Sequence, residues 1–260
     1  MENATMYGRE KTFTLPSGYE VTIREQNGED DDILSNPVEA RSLRNISRFI
    51  AGLVVRTNMT ATGVLSVDDA HAMPSLDRYC ILIESRIFSI GNTMEFSHDW
   101  VDMDGRKRNV EYEVDLREEF LFDYSKAPSA EELNSKESAL PFYPEPMVRE
   151  LEFTTTSGKT LKFHLMNAES EQYLLSLPED KMTKNQELIA RNLQLKVGDK
   201  FEKVTNFKMF SMKDMVEIRS FVKGHDPIFQ GTTTIMDPVT HQVMDVPIIG
   251  IDSFFYPREN

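Results

Sequence analysis

The side chains able to do chemistry in this chain are few and scattered. Five histidines, His71, His98, His164, His225 and His241, fall in both halves, and no two stand at the one-turn spacing that puts two imidazoles on one metal ion. His98 and Asp99 are adjacent, but at the end of an alternating stretch such a pair reads as a solvated strand edge. There is no glycine-rich phosphate loop and no nucleophile elbow. Cys80, the single cysteine, falls on the apolar face of an expected helix and reads as a buried structural thiol. One cysteine also excludes an intrachain disulfide framework and a thiolate metal cluster. The run Glu29-Asp30-Asp31-Asp32 concentrates negative charge without the alternating oxygen ligands of a calcium loop. It reads as a solvated loop that attracts a basic partner. The expectation is no catalytic residue, no metal and no cofactor: a protein that binds and is not an enzyme.

The charge balance narrows the partners. Asp and Glu total 43 against 29 Lys plus Arg, a formal charge of -14, which opposes binding to a phosphate backbone and so argues against nucleic acid. With 260 residues, 40% of them hydrophobic, the chain can bury the core of one large domain or two small ones. No apolar run reaches the length of a membrane span, so no membrane partner is expected, and the opening MENATMYGREK lacks the charged-then-apolar order of a signal peptide. With a lone cysteine this points to a reducing cytoplasm.

Periodicity supplies the elements. KTFTLPSGYEVTIRE alternates apolar and polar residues on both sides of Ser17-Gly18 and predicts a hairpin. Asn36-Pro37-Val38-Glu39 combines a cap, a proline at the first helical position and a glutamate three residues after the cap. A helix is expected from there, its stripe running through Leu43, Ile46, Phe49, Ile50, Leu53 and Val54 to near Asn58. The stretch from Met59 to Met73 reads as a connection. A second helix fits Ser75 to Ile90, with Gly91 as its left-handed stop. Two strands are expected around Asp104-Gly105, a favoured hairpin dipeptide.

The order then recurs. After SKAPSAEELNSKESALPFYPEP, which reads as a linker, ELEFTTTSGKTLKFHL is again a two-stranded pattern about Ser157-Gly158. One helix is marked by Leu188, Ile189 and Leu193. Another is marked by Met212, Met215, Ile218, Phe221 and Val222, with Ser211 as cap and Gly224 as stop. A strand-turn-strand pattern in TTTIMDPVTHQVMDVPI precedes DSFFYP. The predicted fold is α+β, two weakly similar halves, each a β-hairpin, helices, a second β-hairpin and an aromatic closing strand. The expected boundaries are 1–124 for the first half, 125–146 for the polar linker and 147–260 for the second half. The Met and Phe residues of the second half read mainly as core, with any surplus serving a partner, because methionine repacks readily against different surfaces. Phe254, Phe255 and Tyr256 read either as a strand covered on both faces or as an exposed anchor.

FTLPSGYEVTIREQNGEDDDILSN near the start, together with FKMFSMKDMVEIRSFVKGHDPIF and DSFFYP near the end, resembles the baseplate hub assembly proteins of T-even-type contractile-tailed phages. In that family a Leu-Pro-Ser-Gly hairpin opens onto an acidic segment. A helix with a Met-(Lys/Arg)-Asp-Met-type sequence then precedes a final hairpin and an aromatic close. The likeness in element order spans most of the chain, and the residue-level match rests on the two ends. One departure stands out. Related sequences often carry paired cysteines in the hairpins, resembling a zinc ribbon, where this chain reads SHDWVDMDGRKR and MDPVTHQVMD, so hydrogen-bonded turns must do that work. The resemblance implies assembly: binding of hub or tape-measure proteins, in a chaperone or structural role, in the host cytoplasm or in the virion tail. Self-association is compatible with it. The expected partner interface is Glu29, Asp30, Asp31, Asp32, Met212, Met215, Phe254 and Phe255. Two other readings stay open, an intracellular adaptor and a small hydrolase in which His98 or His241 meets a carboxylate.

Overall fold

The computed structural model describes residues 8–102, 104–122, 150–229, 231–249 and 252–255. Strands β1 (Glu10–Thr14) and β2 (Glu20–Arg24) pair antiparallel across Ser17-Gly18, Thr14 opposite Glu20. Gly18 sits at φ 91°, a conformation that side chains resist, and its N–H donates to Leu15 O at 2.8 Å to close the turn. The acidic run that follows is helical. In α1 (Gly28–Leu34) the Asn27 side chain caps the first turn while Asp30 accepts from Asn27 N at 2.8 Å, a reciprocal capping box. Helix α2 (Pro37–Ala40) starts at the expected Asn36 cap, but the single long helix expected beyond it is broken. Leu43 takes a left-handed φ of 56°, and α3 (Arg44–Leu53) begins afresh. Phe49, Ile50 and Leu53 of α3 are buried, and β3 (Val54–Thr57) then joins β2 to complete a sheet of order β1-β2-β3.

Helix α4 (Val67–Ala72) has its own capping box, Ser66 with Asp69, where a plain connection was expected. Helix α5 (Ser75–Ser89) is buried on most of its circumference. Cys80, Ile81 and Leu82 face a core built from the first sheet and α3, whereas Ile83 and Ile87 face a second core. Strands β4 (Thr93–Val101) and β5 (Lys107–Asp115) then form the ribbon expected around Asp104-Gly105, followed by a helical turn, α6 (Leu116–Glu119).

The second half repeats the plan. It contains β6 (Glu150–Thr154), β7 (Thr160–His164), α7 (Ala168–Ser176), α8 (Lys184–Ala190), β8 (Gln194–Val197) and β9 (Lys200–Lys203). Helix α9 (Met212–His225), the ribbon β10 (Thr232–Met236) and β11 (Val243–Pro247), and a closing turn α10 (Asp252–Phe255) complete it. Glu10, Gly18, Asn27 and Val54 have counterparts in Glu150, Gly158, Asn167 and Gln194, each the same number of positions farther along the chain. Both glycines have positive φ and both asparagines cap a helix. The copies also differ. Val21 pairs with Thr57, but Leu161 pairs with Leu195, and β9 extends the second sheet to four strands.

The halves meet in the second core, where Ile235, Val246 and Ile248 pack with Met94, Phe96, Trp100 and Val114. Tyr112 Oη accepts from Trp100 Nε1 at 2.7 Å and donates to Met236 O at 3.0 Å, and Arg108 pairs with Asp237. The expected linker lies outside the described residues, as does Tyr256. Two further expectations are corrected. The closing strands are absent from the described residues: Leu116–Glu119 and Asp252–Phe255 are helical turns. The Phe254 carbonyl is taken by the Arg86 guanidinium instead of a strand ladder; the Phe254 ring is buried in the second core, and the Phe255 ring packs against both cores. Gly224 does not stop α9, which runs on to His225. Asp226 caps it there, its carboxylate accepting from Arg191 Nε at 2.7 Å and Met166 N at 2.8 Å.

Candidate functional site

The sequence SMKD at the start of α9 encodes a capping box. Asp214 N donates to Ser211 Oγ at 3.1 Å, and Ser211 N donates to the Asp214 carboxylate at 2.9 Å. The same carboxylate reaches the β6–β7 turn, accepting from Ser157 Oγ at 2.6 Å and Lys159 Nζ at 2.9 Å. The Ser157 hydroxyl first, then Lys159, hold the Asp214 carboxyl far below the usual carboxylate range. One turn on, Glu217 accepts from Thr156 Oγ1 at 2.6 Å and Thr156 N at 2.8 Å, and these bonds lower its pKa too. In the first half Asp77, at the same third position of α5, accepts from Ser17 N at 3.0 Å. In each half, therefore, the hairpin turn is tied to the acid of a later helix.

That tie sets the rotation of α9 about its axis. Met215, Ile218 and Val222 point into a core shared with Leu161, Phe163, Leu188 and Leu193. Met212 and Val216, one turn apart, point outward and are 74% and 58% exposed; Met209, in the 3-10 turn just before the cap, is 50% exposed. An outward strip of two methionines and a valine offers an adaptable apolar surface with no reacting group on it.

The expected interface residues divide between surface and core. Glu29, Asp31, Asp32 and Met212 are exposed. Asp30 is only 2% exposed, because Arg24 binds it with two parallel hydrogen bonds of 2.8 Å while it caps α1. Met215 and Phe254 are buried, and Phe255 is half-buried with its ring edge-on to Phe49, centroids 5.7 Å apart. Asp30, Met215 and Phe254 hold the fold and cannot meet a partner without unfolding, whereas Phe255 keeps part of its surface open. Met209 and Val216 were missed by the sequence reading. The signal for them was present: once Asp214 is the inward third residue of the helix, Met212 and Val216 must lie on the other side.

Of the histidines, His98 lies edge-on to Trp100 with centroids 5.1 Å apart, and the adjacent Asp99 accepts from Asn109 at 2.7 Å. His241 sits in a turn at φ 56°. Neither imidazole is hydrogen-bonded to a carboxylate among the described residues. A cleft of about 360 Å3 between the halves is lined by Ser17, Asp77, His225 and Asp226 with three prolines and three leucines. There His225 Nδ1 contacts Phe221 O at 2.8 Å and must donate to it. Ser17 Oγ, buried in the same wall, has no hydrogen-bond partner among the described residues, and it is not bonded to His225. Among the described residues no group of three or more His, Cys, Asp or Glu side chains is placed to hold a metal ion, and no helix is long and apolar enough to cross a membrane. No family model, no curated protein sequence and no solved structure matches this chain.

Proposed function

We propose that this chain is an assembly or structural protein of the baseplate hub of a contractile phage tail. It acts by protein–protein binding in the host cytoplasm, as a chaperone for hub or tape-measure proteins or as a part retained in the virion tail. The observation that carries the reading is the pair of end motifs, FTLPSGYEVTIRE and DSFFYP, with the MKDM helix between them. The outward strip of Met209, Met212 and Val216 supports it, since a methionine-rich surface can repack against several partners as a structure is built. Affinity capture of the tagged chain from phage-infected cells tests it. Hub components or the tape-measure protein are expected to co-purify. Recovery of ribosomal and metabolic proteins alone removes the tail assignment.

A further inference from the structure

The outward face of α9 combines its apolar strip with a cluster of like charge. From residue 205 to 224 the exposed charged side chains are all lysines, Lys208, Lys213 and Lys223, while Glu217 and Arg219 are half-buried. None of the three is in an ion pair among the described residues. The chain as a whole carries a formal charge of -14, so a patch of lysines with methionines is a local reversal of sign. The β4–β5 ribbon carries the opposite character. Its inward residues Met94, Phe96, Trp100 and Val114 are core, so alternation sends Glu95, Asp99, Glu111 and Glu113 to the outer face, with Val101 at the turn end. Glu95 stands directly opposite Glu113 in the register, and like charges so placed repel. Neither has a hydrogen-bond or ion-pair partner among the described residues.

We propose that the lysine–methionine face of α9 is a docking surface for a second copy of this chain, and that it meets the outer face of that copy's β4–β5 ribbon. Lysines set against Glu95, Glu111 and Glu113 would neutralise the repulsion built into the ribbon, and Met209, Met212 and Val216 would cover the aliphatic stems of the glutamates. The ribbon is a better match than the other acidic surface, α1. There Glu29 and Asp31 lie in the first turn, where they already stabilise the positive end of the helix, and Asp30 is neutralised by Arg24. Because each chain carries both surfaces at different places, the contact can close reciprocally as a two-fold dimer or continue head-to-tail from copy to copy as a ring or an open row. It requires only this chain, so it stands or falls apart from the tail assignment.

The test is self-association of the purified chain, followed by sedimentation velocity over a range of concentration and salt. Mass is expected to rise with concentration and to fall as salt screens the contact. Reversing the helix (K208E/K213E/K223E) or the ribbon (E95K/E111K/E113K) should weaken association by about tenfold or more, with unchanged circular dichroism. Mixing the two variants should restore it, because each then offers the other a complementary face. A single-chain mass at every concentration overturns the proposal. So does association that neither reversal weakens, or a mixture that fails to recover.

Discussion

Asp214 accepts from a backbone amide, a serine hydroxyl and a lysine ammonium at once, which joins helix α9 to the turn of the opposing hairpin. Its consequence is a pH dependence with a definite sign. The folded pKa lies far below the unfolded-chain value of about 3.9, so the bonds stabilise fully above that value and are lost as pH falls toward the folded one. Asp214→Asn keeps the size of the side chain but removes the charge. At neutral pH its melting temperature should be lower than that of the wild type. Below about pH 4 the two curves should converge, because the wild type loses there what the variant never had. Thermal melts at stepped pH give this directly, and parallel curves down into acid would mean the carboxylate contributes nothing.

The turn α10 shows what single elements do in this fold. A four-residue helix has no stability of its own, so its position depends on what holds it. Arg86, almost wholly buried, donates to Phe254 O and Gly91 O at 2.5 Å and to Thr93 O at 3.2 Å. Burial lowers its pKa. Lysine at this position cannot span three carbonyls with one ammonium. Arg86→Lys should therefore speed amide exchange in Asp252–Phe255 by on the order of tenfold. Unchanged protection there would show that the two rings alone fix the turn. This element also marks where sequence reading gives out. The hairpins were legible because Ser-Gly and Asp-Gly name their turns locally. The capping boxes Asn27–Asp30 and Ser66–Asp69 were equally local, yet the acids in them read as a solvated run and a connection. Strands β3, β8 and β9 are four residues each, too short for alternation to announce them. The Phe254–Arg86 bond spans 168 positions, and nothing near DSFFYP signals it.

At the scale of the whole molecule, two copies of one plan share a core. The only tryptophan, Trp100, sits in that core against residues of both halves. Unfolding is expected to be one transition, with Trp100 fluorescence and far-ultraviolet circular dichroism falling at the same denaturant concentration. Val222→Ala, in a core built only from the second half, should lower both by the same amount, about 1–3 kcal/mol. A Trp100 midpoint that stays in place would show halves that unfold separately. The site is less legible at this scale than the fold. The end motifs pointed to an aromatic and methionine-rich interface, but Met215 and Phe254 are buried and only Met212 of the expected apolar residues stands well out from the surface. The route taken by Phe254 and Phe255 has a consequence in time. A ribosome releases the first half of the chain well before these residues are made. Until they arrive, Arg86 lacks one of its three acceptors and the ring of Phe49 lacks its edge-on neighbour. The nascent protein is then at its stickiest, which is when a cell's folding helpers would find it.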